Sequence, residues 1–359
     1  MSKRNFRKEK LLAFAEKIFL VMLGFGVFLY FTKNPPSQQD DGRYRGKILP
    51  KKYEITRRIA DFSGGTVVFD SGIDEFVEEK IDTAESSVYG TSYTLSDGTI
   101  TRALNRAAAR GISVSLAAHR IRDRRSYDFS LKELESDKGI FHEKYLLIDD
   151  SKVILSSRNF NNFPSKNAVI MFENAPELYT ILKKDFESLI KNRKSDICAG
   201  GCKFSYGTLY SSPGKACVAV KKEIKKAEKN MTLAMYTITP GTPMMTGMRD
   251  ILKEGIEIYG IADDWRGSMG KIVNKRSISY LKSLGADIVF DRMKVGDRTM
   301  LFHHKFAVID GKTLVFGSMN WTKSGCYRNR EYTVIIEDYE LSGIFDNYLY
   351  EFRTIVDSQ

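Results

Sequence analysis

The 359-residue chain is short of the residues that usually mark a metal centre: it has four histidines and four cysteines. Imidazole chemistry is therefore confined to four positions. Cys198, Cys202, Cys217 and Cys326 include one CxxxC, CAGGC, with no nearby histidine and no second pair, which makes a poor zinc ligand set. They are read as structural cysteines, enough for two disulfides outside the cytoplasm, with the pairing open. Carboxylates nowhere gather at metal-ligand spacing, so the sequence calls for no metal and no other cofactor. Long apolar runs are scarce as well. Ile18 to Phe31 is unbroken by charge for 14 residues, about 21 Å of helix against a hydrocarbon core of about 30 Å. It crosses a bilayer only if Leu11 to Ala15 also insert and Glu16 with Lys17 snorkel or pair. The bulky Leu29, Tyr30 and Phe31 leave no small-x-small cleavage site, which favours an uncleaved signal anchor over a secreted product.

What is present is globular. Hydrophobic residues make up 42% of the chain and aromatics 12%, and the length suits two core-forming domains. A net charge of +11 implies a polyanionic partner, either nucleic acid or an anionic membrane surface. The basic leader MSKRNFRKEK favours an N-terminus kept inside and the bulk of the chain outside the cytoplasm, as a single-pass membrane protein. These features divide the chain into a leader and membrane helix (1–32), a basic, proline-containing linker (33–61), a first half (62–193), a cysteine-containing connector (194–203) and a second half (204–359).

The two halves repeat. TVVFDSG, DEFVEEKIDTAESSV, YGTSYTLSDG, TITRALNRAAARGISVSLAAH and FHEKYLLIDDSKVILSSRNF reappear in order as GTLYSSPG, CVAVKKEIKKAEKNM, TLAMYTITPG, TPMMTGMRDILKEGIEIYGIADD and FHHKFAVIDGKTLVFGSMNW. The order is strand, helix, strand, helix closed by a glycine (Gly111, Gly255), strand, hairpin. A period of 161 residues is too long for a solenoid and predicts a duplicated α/β domain.

Within the repeat the polar residues coincide. His142, Lys144 and Asp149 are followed by Ser157 and Asn159; His303, Lys305 and Asp310 by Ser318 and Asn320. Strand periodicity puts each His on one face with its Lys, and each Ser with its Asn on the returning strand. Each hairpin is thus expected to offer a polar quartet. Asp149 and Asp310 have the opposite parity and lie at turns, so they are expected to support the hairpins rather than join the chemistry. His304 points away from its quartet and is read as facing either packing or solvent. Two quartets brought together suit phosphoryl transfer: one imidazole as nucleophile, the other as acid, with two ammonium and two amide groups around the phosphoryl oxygens.

The chain resembles a two-motif member of the phospholipase D superfamily, whose HxKxxxxD signature followed by Gly-Ser-x-Asn appears in both halves, from about Thr66 to the C-terminus. The resemblance implies two pseudo-twofold-related α/β/α sandwich domains in one chain, acting as a monomer. It also implies ping-pong chemistry through a phosphohistidine, with His142 as nucleophile and His303 as the acid that then activates water, or the reverse. In the family a glutamate after the Asn often binds a motif histidine; Glu331 matches it, and Lys166 is read as its counterpart, so the two histidines are expected to have unequal surroundings and pKa values. Ser156 stands where the second motif has Gly317. His119 aligns with Asp263 at the end of a strand, each as open to a site-rim role as to a structural one.

The substrate divides three ways. The anchor and the basic GRYRGKILPKKYEITRR favour a phospholipid at an anionic surface, hydrolysed as by a phospholipase D. The net charge and HRIRDRR favour a nuclease. Phosphatidyl transfer of the cardiolipin synthase kind would more often come with a second membrane segment, which the sequence lacks.

Overall fold

The computed structural model describes residues 58–358 apart from 125–126, 137–138, 192–196, 267–271, 293 and 296–297. The membrane helix expected over 1–32 lies outside them, and no helix among the described residues is long and apolar enough to cross a membrane.

The first half is one eight-stranded sheet. Its strands are β1 (Arg58–Phe62), β2 (Gly65–Phe69), β3 (Ser87–Leu95), β4 (Ser113–Ile121), β5 (Ser130–Glu133), β6 (Tyr145–Ile148), β7 (Lys152–Ser156) and β9 (Ala168–Phe172), and the two-residue β8 (Ser165–Lys166) stands apart. Their order is β1-β2-β9-β7-β6-β3-β4-β5. β3, β4 and β5 run parallel, and the other neighbours are antiparallel. The second half repeats this with β10 (Cys202–Phe204), β11 (Gly207–Ser212), β12 (Asn230–Met235), β13 (Glu257–Asp263), β14 (Asp287–Asp291), β18 (Lys305–Ile309), β19 (Thr313–Gly317) and β20 (Glu331–Glu337), ordered β10-β11-β20-β19-β18-β12-β13-β14. β15 (Lys294–Val295) and β16 (Arg298–Thr299) form a small hairpin, and β17 (Leu301–Phe302) pairs with β8.

Both faces of the central strands are apolar, which is why YLLI and AVIMF read as continuous hydrophobic runs rather than as an alternation. Leu146, Ile154, Val169 and Met171 face the helices Ile73–Asp82 and Thr99–Ala109. Tyr145, Leu147, Leu155 and Ile170 face the other way, into a core shared with the second half that includes the helices Pro176–Ile190 and Tyr339–Asp357. Each half is thus a sheet between helical layers. Gly111 and Gly255 follow the helices Thr99–Ala109 and Pro243–Lys253 with φ of 85° and 84°, the left-handed conformation that ends a helix without a Cβ clash.

Two boundaries differ from expectation. The linker expected to run to residue 61 ends earlier, because 58–61 belong to β1, whose Ile59–Phe62 pair with Gly65–Val68 across the Ser63–Gly64 turn. The connector expected over 194–203 contributes β10, whose pairing with β11 adds an edge strand to the second sheet. In both places a polar or basic sequence conceals an edge strand with one wet face. The cysteines are bridged as Cys198–Cys202 and Cys217–Cys326.

Candidate active site

The two halves exchange residues at the site. Neither motif histidine lies on a strand: β6 begins at Tyr145 and β18 at Lys305, so His142 and His303 occupy the approaches to those strands. The strand register expected for each His and Lys is corrected accordingly. Their approach segments are tied instead to the opposite half. The N–H of His142 donates to the Arg330 carbonyl and that of His303 to the Lys166 carbonyl, each at 2.8 Å. Parallel bridging continues on either side, Phe141 against Arg330 and β17 against β8.

The side chains cross over in the same way. His142 Nδ1 lies 2.7 Å from Glu331 Oε2, and His303 Nδ1 lies 3.0 Å from Asn167 Oδ1. Each histidine is therefore oriented by the other half. The counterpart of Glu331 is thus Asn167, not Lys166: the Ser157 hydroxyl donates to Asn167 Oδ1 (3.1 Å) and accepts from the Ala168 N–H, just as the Ser318 hydroxyl donates to Glu331 Oε2 (2.7 Å) and accepts from the Tyr332 N–H. Lys166 corresponds to Arg330, one residue earlier. Both are cations at the junction, Lys166 buried and ion-paired with Asp291, Arg330 part-buried and ion-paired with Glu143 and Asp185.

The expected quartets are corrected by the same contacts. Ser157 and Ser318, fully buried past the ends of β7 and β19, aim the partners of the histidines rather than face a ligand. Asn159 and Asn320 follow on the same loops, each with a buried amide oxygen that has no hydrogen-bond partner among the described residues. The Lys144 and Lys305 ammoniums each donate to the carbonyl of their own motif histidine. Gly317 is required where Ser156 is not, since a Cβ there would stand 2.3 Å from the Tyr332 carbonyl oxygen.

Asp149 and Asp310 lie at the hairpin turns with φ of 49° and 53°. Asp149 accepts from the N–H groups of Glu85, Ser86 and Ser87, and Asp310 from those of Glu228, Lys229 and Asn230, at 2.8–3.2 Å. Partial burial works against their charge, but these donors prevail and hold both carboxyls below the usual range. They fasten each hairpin to the start of β3 or β12.

The site concentrates positive charge. Burial pushes His142 down to about 4, with Glu331 pulling it up and Lys144 pushing it further down. Burial, then Lys305, Lys144 and His142, hold His303 well below the ordinary imidazole value. Burial lowers Lys144 to about 7, and burial with Lys144 nearby depresses Lys305. Four cationic or cation-forming groups that oppose one another's protonation make a receptor for an anion, whose charge would relieve all of them.

Two tyrosines complete the walls, and the sequence reading passed them by. The Tyr93 ring meets the His142 ring edge-on at 5.2 Å and lies under Lys144 Nζ at 5.6 Å; Tyr236 meets His303 at 4.7 Å and Lys305 Nζ at 5.1 Å. The signal was the tyrosine–threonine pair that recurs in the aligned stretches YGTSYTLSDG and TLAMYTITPG. Asn167 was missed because three more residues separate His303 from Glu331 than separate His142 from Asn167. The alignment of His119 with Asp263 holds in the sheet register, Thr91 pairing with Ala117 and Tyr145 as Ala234 pairs with Ile261 and Phe306. Their roles diverge. His119 stacks on Tyr93 at 5.6 Å, whereas the Asp263 carboxylate accepts from the N–H groups of Trp265 and Phe302, both at 2.6 Å, and is pushed by burial up to about 7.

Comparison with known proteins matches this architecture. The family described as "Cardiolipin synthase, PLD-like domain" matches residues 77–190 and 220–353, one segment in each half. A phospholipase D of Rickettsia bellii is 38% identical over 117 residues, 29% of this chain and 58% of that protein. The mitochondrial cardiolipin hydrolase of Mus musculus is 37% identical over 83 residues, 23% of this chain and 34% of that one. The chain thus spans about a third to just over half of the length of these two relatives. The crystal structure of phosphatidylserine synthase from Haemophilus influenzae superposes with a TM-score of 0.61 at 12% identity, covering 78% of this chain and 83% of that one, which shows a common fold. With a family match in both halves and paired His–Lys motifs meeting at their junction, the chain belongs to the phospholipase D superfamily of enzymes.

Proposed function

We propose that the protein is a membrane-anchored, metal-independent phosphodiesterase that hydrolyses phospholipid headgroup esters through a phosphohistidine, with His142 as nucleophile. The observation that carries this reading is the unequal pairing of the two imidazoles. The Glu331 carboxylate accepts the Nδ1–H of His142, which leaves the Nε2 lone pair for attack on phosphorus and stabilises the positive ring once the N–P bond forms. His303, held by the neutral Asn167 amide, gives its proton to the departing alkoxide as the P–O bond breaks. It then takes a proton from water, which attacks phosphorus and releases His142. Lys144, Lys305 and the amides of Asn159 and Asn320 hold the non-bridging oxygens.

A lipid is favoured over a polymer by the walls. Arg120, over Tyr93 at 5.4 Å, and His119 occupy the positions that Asp264 and Asp263 hold in the second half. At that position the second half offers no counterpart of the Arg120 cation to a strand carrying phosphates on both sides of the scissile one. The phospholipase D and cardiolipin hydrolase relatives support the same choice. The two disulfides and the N-terminal apolar segment suit a domain held at a membrane in an oxidising compartment.

The test presents the full chain in detergent micelles with cardiolipin, phosphatidylcholine and single-stranded DNA side by side. Lipid turnover that survives EDTA and falls about 10⁴-fold in His142→Asn is expected. DNA cleavage without lipid turnover would assign the site to a nuclease, and transfer of the phosphatidyl group to added glycerol in preference to water would make it a synthase.

A further inference from the structure

The contacts behind His303 close into a ring. From His303 Nδ1 the ring passes to Asn167 Oδ1 (3.0 Å). The backbone of Asn167 is clamped at both ends by Asp70: its N–H donates to Asp70 Oδ1 (3.0 Å), and the Asp70 N–H donates to its carbonyl (2.9 Å). Asp70 Oδ2 accepts from the Tyr348 hydroxyl (2.8 Å), whose oxygen lies 2.8 Å from His304 Nε2. His304 is joined to His303 by the peptide bond. The direct approach of His304 Nε2 to Asp70 Oδ1, at 3.3 Å, crosses the same ring. Every member is buried, and the ring takes residues from the first half, the approach to β18 and the C-terminal helix Tyr339–Asp357.

The hydrogen bonds fix their own direction. The Tyr348 proton goes to the Asp70 carboxylate, so the Tyr348 oxygen accepts, and His304 carries its proton on Nε2. The other nitrogen of His304, Nδ1, is accordingly the one without a partner. In the second half the residue equivalent to Asp70 is Ser212, since Phe69 pairs with Ala168 as Ser211 pairs with Tyr332. Ser212 pairs with Glu331 in the ladder of β11 and β20, but its hydroxyl is turned to the Met319 sulfur at 3.4 Å. Asp70 also has φ of 58°, the left-handed region that a side chain enters at a cost.

We propose that Asp70 is a positioning residue of the reaction, acting through Asn167 to hold His303 in the orientation in which it receives and returns a proton. A carboxylate such as Glu331 aims an imidazole by charge as well as geometry, whereas an amide such as Asn167 aims it by geometry alone, so its own backbone must be fixed. The doubled histidine of FHHKF thereby gains a division of labour: His303 faces the reaction, and His304 anchors the ring that positions it. This inference rests on the phosphohistidine reading, and it assigns Asp70 to the step in which His303 acts and not to the attack by His142.

The full chain with bis(p-nitrophenyl) phosphate separates the two steps. p-Nitrophenoxide leaves without an acid, so a pre-steady-state burst reports attack by His142 and the steady state reports hydrolysis assisted by His303. In Asp70→Ala the ratio of burst rate to turnover is expected to rise about tenfold or more. Asp70→Asn, which tolerates the left-handed backbone and can still accept from the Asn167 N–H, is expected to restore most of the loss. Tyr348→Phe, which keeps the ring and loses the hydroxyl, should fall between them and keeps the test open if the alanine variant does not fold. Burst and turnover falling together in all three, or neither changing, would overturn the assignment. A burst missing from the unmodified chain would overturn the phosphohistidine reading and this inference with it.

Discussion

Glu331 and Asn167 fill the same place in the two halves, at the head of β20 and just ahead of β9, and each receives the Nδ1 of the opposing histidine. One is a carboxylate and the other an amide. The fold duplicates the frame, consisting of the anchoring serine, the crossed backbone bond and the turn aspartate, but not the charge that is delivered to the imidazole. Two identical partners would make both histidines good nucleophiles and neither a good acid. Unequal partners let one backbone geometry serve two roles, in the way that paired titratable groups elsewhere divide acid from base through their surroundings.

The largest break in the comparison should be in stability. The cations that precede these partners, the fully buried Lys166 and the mostly buried Arg330, both reach into the opposite half. Removing one member of such a buried pair costs about 3–5 kcal/mol. Lys166→Met and Arg330→Met are each expected to lose stability in that range in urea unfolding, with Arg330→Met the worse because Glu143 and Asp185 both lose the guanidinium. Part of that loss is offset by protonation: burial beside Asp185 already pushes Glu143 up to about 8. A loss below about 1 kcal/mol in Lys166→Met would mean that the junction does not depend on its charges.

Next in size comes the catalytic asymmetry. Glu331→Gln gives His142 an amide like its twin's and should lower kcat/KM by about 100-fold, whereas Asn167→Ala should cost about tenfold. Equal losses, measured on the same diester, would show that the histidines are interchangeable and would remove the basis for naming His142 the nucleophile.

Much of this frame was legible in the chain. HxKxxxxD repeated at 161 residues located both histidines, both lysines and the turn aspartates, because covalent spacing within a hairpin is rigid. What escaped was everything that crosses between halves. The counterpart of Glu331 is Asn167 and not Lys166 because hydrogen bonds from Ser157 and Ser318 pick out residues 10 and 13 positions further on, a difference in loop length that spacing from the histidines hides. Strand parity likewise placed His142 and His303 on strands that begin only two or three residues later. Asp70 carried no signal, since an aspartate after an apolar strand reads as a turn. Its partners, Tyr348 and His304, lie more than 200 residues away and meet it only in the folded core.

The smallest effect, and the sharpest discriminator between the two imidazoles, is the pH dependence. With bis(p-nitrophenyl) phosphate, whose first leaving group needs no proton from His303, His142 must be neutral to attack, and its pKa lies at about 4, so kcat/KM should rise as pH increases through that value. Lys144 must be charged to hold the phosphate, and its pKa lies at about 7, so kcat/KM should fall as pH increases through that one. The profile is then a bell between about 4 and 7, whose limbs belong to the cluster rather than to isolated residues. Because Glu331 raises the pKa of His142, Glu331→Gln should move the acid limb to lower pH and leave the basic limb in place, while Lys144→Arg, which does not titrate in this range, should leave the basic limb to Lys305, whose pKa is also depressed by burial and the neighbouring cation. If activity in the unmodified chain instead climbs steadily to pH 9, the lysines do not hold the substrate through their charge, and the anion receptor formed by the two halves would have to be rebuilt around the amides of Asn159 and Asn320.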